Sequence, residues 1–157
     1  MSVLPWIVFL AFALPLGWID AREHRLPNRL VLLAVPCAAL AMSATAALTG
    51  NWHSMLHAVL GSLVTFAALL ALALASRGAL GMGDVKLGLF TGLYLGWLGW
   101  WAVFWGTVLG FVLGAGWAAV LLLGGRANRG TPIPLGPFLL GAVAIVGLID
   151  ASPWWSR

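Results

Sequence analysis

Leu56 to Ala75 reads LHAVLGSLVTFAALLALALA, twenty residues without an Asp, Glu, Lys or Arg. That is about the length a helix needs to cross the ~30 Å hydrocarbon layer of a bilayer. Apolar and polar residues do not alternate along it, which argues against a strand. A backbone in lipid must also satisfy its own N–H and C=O groups, as a helix does. Similar runs lie on either side: Ser2–Ile19 and Leu30–Thr49 before it, then Val85 to about Trp97, Trp101–Leu123 and Ile133–Ile149 after it. The fourth run is short and glycine-rich. Leu98–Trp100, between the fourth and fifth, supplies a Gly and a Trp but no charge, so the turn there must be tight. The pattern predicts an all-α membrane protein, a polytopic bundle of about six transmembrane helices forming a single domain over residues 1–157.

The whole chain agrees with that segment. Of its 157 residues 62% are hydrophobic and 8% charged, and the mean hydropathy is +1.04. A soluble domain carries about a quarter charged residues. So few charges cannot cover a water-facing surface, and the main solvent is lipid. The net charge of +4 does not point to nucleic acid, because eight basic residues spread over short loops make no phosphate-tracking surface. The single cysteine, Cys37, lies in an apolar run and reads as a small buried hydrophobe.

Charge placement sets the expected topology. Arg22, Arg25 and Arg29 follow the first span, Arg77 and Lys86 the third, and Arg126 and Arg129 the fifth, while Gly50–Met55 and the turn at Gly99 have no basic residue. The positive-inside rule puts the three basic loops in the cytoplasm and both the N-terminus and the C-terminus outside. Trp6, Trp52, Trp97, Trp100, Trp101, Trp154 and Trp155 then fall near the outer interface and Trp18 near the inner one, with Trp105 and Trp117 expected as packing residues. The first span has no Lys or Arg ahead of it, so it is expected to be kept as a span and not cleaved as a signal peptide.

Four acids stand out against this background: Asp20, Glu23, Asp84 and Asp150. Asp150 ends the last span on the outer side and Glu23 sits among basic loop residues, so both read as solvated charges. Asp20 and Asp84 fall at the same membrane boundary, each at the end of a span, where a carboxylate costs desolvation and tends to face water, a partner or a cavity. Two such groups brought together can share one proton. The ionised one takes a proton from water as it attacks a peptide carbonyl, and the protonated one donates to the carbonyl oxygen. Gly81 and Gly83 beside Asp84 would let an extended peptide approach closely, or would serve helix packing.

Two segments, Asp20-Ala21-Arg22-Glu23-His24-Arg25-Leu26-Pro27-Asn28 and Gly81-Met82-Gly83-Asp84-Val85-Lys86-Leu87, resemble the type IV prepilin peptidases, a family of GxGD-type membrane aspartic proteases. In that family one aspartate stands seven residues before the proline of a Leu/Ile-Pro-Asn turn, as Asp20 does before Pro27, and a second closes a Gly-x-Gly-Asp-Val-Lys stretch, as Asp84 does. Ile133-Pro134-Leu135-Gly136-Pro137-Phe138 is similar to the family's Pro-hydrophobe-Gly-Pro-Phe start of the last span, with Leu135 where phenylalanine is more usual. The resemblance implies Asp20 and Asp84 as the catalytic pair. It implies removal of the basic leader of a prepilin or pseudopilin at the cytoplasmic face of the inner membrane, with no cofactor. The larger members also N-methylate, using a cytoplasmic segment with paired cysteines; this chain has no such segment, and its length is similar to that of peptidase-only members of tight-adherence (Flp) systems.

Other residues read more plainly. Pro27 and Asn28 end one helix and start the next. Lys86 either tunes Asp84, holds a substrate carbonyl or snorkels to the interface. His24 lies close to Asp20 in sequence. His53 and His57 stand four apart, a spacing that can bind metal, but with no third ligand nearby none is expected. The partners expected are the substrate helix and the lipid bilayer, and the sequence sets no oligomeric state. Two other functions compete: a small proton-coupled transporter, which would place its acids near the bilayer midplane, and a non-catalytic scaffold for pilus assembly.

Overall fold

A computed structural model describes residues 3–23, 26–76, 80–124 and 134–151. Arg25, Arg77, Arg126, Arg129, His24, Ile133, Trp154 and Trp155 lie outside the described residues. Within them the chain forms six helices and no strand: α1 Val3–Glu23, α2 Asn28–Thr49, α3 Trp52–Ala75, α4 Met82–Leu98, α5 Trp100–Leu123 and α6 Gly136–Asp150. Four of these, α1, α2, α3 and α5, are long and apolar enough to cross a membrane. The remaining two are shorter: α4 has 17 residues, about 26 Å, and α6 has 15, about 22 Å, at 1.5 Å per residue.

Local chemistry sets the ends. Pro27, at φ −67° and ψ 114°, caps α2, and its carbonyl accepts from Leu30 N–H at 3.0 Å. Gly50 closes α2 at φ +73°, a left-handed conformation that glycine adopts without a Cβ penalty. Asn51 Oδ1 then accepts from Ser54 N–H at 3.3 Å and starts α3. One residue, Gly99, joins α4 to α5 at φ +123°, which is how so tight a turn is made.

Helix α4 is the hub of the bundle. It packs on α2, α3, α5 and α6, most extensively on α3, and is buried almost continuously from Asp84 to Gly96. Glycines bring α3 and α4 together. A Cβ added at Gly92 would lie 2.6 Å from Gly61 O and 2.7 Å from Ser62 Cα, and one at Gly96 would strike His57 O. Small residues let helix backbones approach in this way in a membrane, where no hydrophobic drive separates helix from lipid. Ser62 Oγ donates across the same contact to Leu89 O at 2.8 Å.

Contacts fix which helix ends share a side. Tyr94 Oη donates to Pro5 O at 2.8 Å, Trp6 packs against Gly147, and the His57 and Trp100 rings lie 5.8 Å apart. The start of α1, the α2–α3 link, the α4–α5 turn and the end of α6 therefore lie together. At the other end, Leu26 lies over Gly83 and Lys86 Nζ donates to Asn28 Oδ1 at 2.9 Å. Arg22 also lies at this end, its guanidinium 4.2 Å above the Trp18 ring.

Two expectations need correction. Trp105 is 59% exposed, on the outer surface of α5, and its ring meets Phe104 of its own helix, whereas Trp117, partly exposed, does pack against Phe138 of α6, ring centroids 6.4 Å apart. Cys37 is half-buried, not enclosed.

Candidate active site

Asp20 and Asp84 come from helices far apart in sequence and reach one cavity. Asp20 sits on the last turn of α1, which runs on to Glu23, and Asp84 on the first turn of α4. They are 4% and 9% exposed. The cavity, about 360 Å³, is lined by both carboxylates with Leu26, Asn28, Gly81, Met82, Gly83 and Lys86. All the residues singled out from the sequence as site-supporting, Gly81, Gly83, Lys86, Pro27 and Asn28, lie at or next to it; Pro27 contributes as the cap that starts α2 beside Asn28.

A backbone amide serves the Asp20 carboxylate. Gly136 N–H, at the first residue of α6, donates to Asp20 Oδ2 at 3.1 Å. Asp84 Oδ2 lies close to Gly81, where an added Cβ would stand 3.3 Å from it, and it shares the cavity with the Asp20 carboxylate. The Asp84 side chain thus turns back toward Gly81, the N-cap of its own helix. Unpaired N–H groups and the positive end of the helix dipole collect at helix N-termini. The N-termini of α4 and α6 therefore both favour negative charge here, while burial and the proximity of the second carboxylate oppose it. Such a balance suits a pair that holds one net charge and one proton.

The two glycines of the Gly-x-Gly-Asp stretch have separate reasons. A Cβ at Gly81 would lie 3.3 Å from Asp84 Oδ2, and one at Gly83 would lie 3.1 Å from Leu26 Cβ. Gly81 leaves room for the carboxylate, and Gly83 for the segment joining α1 to α2. Neither takes part in the α3–α4 contact, which uses Gly61, Gly92 and Gly96. Lys86 lines the cavity, and its ammonium is held by Asn28.

Sequence inspection did not reveal Gly136 as a partner of Asp20. The Pro-hydrophobe-Gly-Pro pattern around it marked the segment, but no sequence signal ties a backbone amide to a side chain 116 positions away. Asp150 differs from the expectation of a plain solvated charge. It is half-buried at the opposite end of the bundle, in a cavity of about 430 Å³ shared with Thr45, Thr49, Asn51, Ser54, Trp97 and Leu98. His53 and His57 do come together there, ring centroids 4.1 Å apart, but no group of three metal-ligating side chains occurs among the described residues.

A bundle of apolar helices holding two buried carboxylates in one cavity at one end defines a polytopic membrane protein with a site suited to acid–base chemistry. The sequence profile of the type IV leader peptidase family matches residues 7–149, and the chain belongs to that family. It is accordingly a multi-pass membrane protease of the prepilin-type leader peptidases. No curated protein and no solved structure matches the chain.

Proposed function

We propose that this chain is the aspartic endopeptidase that removes the basic leader from a type IV prepilin or pseudopilin at the cytoplasmic face of the inner membrane, with Asp20 and Asp84 as its catalytic pair. The observation that carries this is the shared cavity: two buried carboxylates, one from α1 and one from α4, line it together. The ionised carboxylate takes a proton from water as the water oxygen attacks the scissile carbonyl carbon. Its protonated partner gives its proton to the carbonyl oxygen. The tetrahedral species then collapses, the C–N bond breaks, and the departing amine receives a proton from the pair. Water supplies both the hydroxyl and the hydrogen that end on the two products, so neither metal nor cofactor enters the balance.

Orientation follows from charge. Arg22, Arg29 and Lys86 lie at the end that holds the carboxylates, and the positive-inside rule places that end in the cytoplasm. The substrate's apolar helix would lie parallel to the spans, with its leader in the cytoplasm. All 157 residues would act as one domain.

Asp20→Asn and Asp84→Asn, made separately, test the proposal. Each is expected to abolish leader removal from a co-expressed prepilin while the protein still inserts, whereas Asp150→Asn, in the distant cavity, leaves processing intact. Continued processing in either of the first two variants overturns the assignment and favours a transporter or a scaffold.

A further inference from the structure

Resting on the proposed function, we infer that the groove between α1 and α6 seats the apolar helix of the substrate and leads its leader junction to Asp20. The groove, about 370 Å³, is lined by large apolar side chains such as Phe9 and Trp18 and by small residues, Gly17 and Ala21 on α1 and Gly141 and Ala144 on α6, and no charged side chain lines it. Small residues four apart along α1 are what a second helix needs for close approach in lipid.

The glycines of this groove behave unlike most others in the bundle. A Cβ at Gly88, Gly92, Gly106 or Gly110 would collide with the chain itself, so those glycines serve internal contacts. One added at Gly141 would meet nothing within 4 Å, and one at Gly17 only Leu140 Cδ1 at 3.8 Å. Their missing side chains leave an open wall.

Continuity with the carboxylates points to the occupant. Asp20 lies between Gly17 and Ala21 on the same helix, and Pro137 directly follows Gly136, whose amide holds Asp20 Oδ2. The groove thus runs along the same α1–α6 seam in which the Gly136 amide holds Asp20. Another apolar groove, about 380 Å³ between α3 and α5, includes Trp100 and Phe104 and contains no neighbour of either aspartate. It starts at the α4–α5 turn, the end of the bundle away from the carboxylates. A segment cut at Asp20 while still anchored in lipid must place its apolar part along the membrane from that point, and the α1–α6 groove lies on the helix pair that meets there. The occupant is therefore a single apolar helix whose polar leader begins at the Asp20 end of the α1–α6 seam.

Two measurements on the full chain in proteoliposomes test this. The first compares Gly141→Trp with Gly116→Trp, the latter on α5 where an added Cβ also meets nothing. The substrates are a prepilin with its apolar helix and a short water-soluble peptide spanning the same junction. The ratio of kcat/KM for the helix-bearing substrate to that for the peptide is expected to fall at least tenfold in Gly141→Trp and to hold in Gly116→Trp. The second uses Gly141→Cys in a Cys37→Ala, Asp20→Asn background, with a cysteine in the substrate's apolar helix and a short bifunctional thiol reagent. Cross-linking to the substrate is expected and does not require cleavage. Cross-linking only to a second copy of the chain, or none, overturns the inference, as does an unchanged ratio. Absence of cleavage by the unsubstituted protein would instead count against the proposed function, and the cross-link would still report on the groove.

Discussion

Replacing Gly136 with Ala puts a methyl carbon 2.5 Å from Asp20 Oδ2, 3.2 Å from its Cγ and 3.3 Å from Leu87 Cδ2. Ordinary contact begins at 3.4 Å, so the carboxylate or the start of α6 must move by about 0.9 Å, because Leu87 is itself fully buried and close-packed interiors yield little. The same shift stretches the 3.1 Å bond from the Gly136 amide. A misplacement of about 1 Å in a catalytic constellation costs on the order of 100-fold in rate. The helix itself is not harmed, since Ala is favoured over Gly in helices by about 1 kcal/mol. The expected result is a fall of about 100-fold in kcat with normal insertion, the stability read from the melt in detergent falling by no more than such overpacking costs, about 1–3 kcal/mol. Cleavage of a purified prepilin, followed by gel shift under single-turnover conditions, measures it. Gly116→Ala on α5 serves as the comparison. A Gly136→Ala enzyme within threefold of the unsubstituted rate would refute the role given to this amide.

Other substitutions probe the frame around the site. Gly92→Val drives a branched side chain into Gly61 O and Ser62 Cα and is expected to cost about 3 kcal/mol or more through overpacking, read as a lowered Tm. Tyr94→Phe removes the donor to Pro5 O; stability should fall by about 1 kcal/mol, with leader cleavage retained. Lys86→Met and Asn28→Ala break one hydrogen bond from either side. The double variant should therefore lose no more activity than the more affected single one, which a double-mutant cycle on cleavage rates tests.

The helical architecture was legible because lipid imposes a simple rule: uncharged runs of sufficient length become helices. Where the chain leaves lipid that rule stops discriminating. The first span was expected to end at Ile19, before its first acid, but α1 continues to Glu23, because charged residues near the membrane edge remain compatible with a helix. The fourth helix likewise starts at Met82, three residues ahead of the apolar run, with Asp84 serving as a first-turn acid. Hydrophobicity also misled at Trp105, which lies on the outer surface of α5. In water a large apolar ring is driven inward, but in lipid it gains nothing by turning toward protein. The two aspartates were conspicuous because acids are so scarce. The amide partner of Asp20 was not, because an N–H belongs to every residue except proline and only tertiary placement singles one out.

The shortness of α4 and α6 bears on how water arrives. At about 26 Å and 22 Å, neither matches the ~30 Å of a typical hydrocarbon layer, whereas α3 and α5, at 24 residues each, exceed it. Such a mismatch is relieved by local dimpling of the leaflet. Asp84 and the Gly136 amide stand at the starts of the two short helices, so a dimple there would bring the aqueous boundary down to the carboxylates. Cleavage would then depend on acyl-chain length, falling as the surrounding membrane is made thicker.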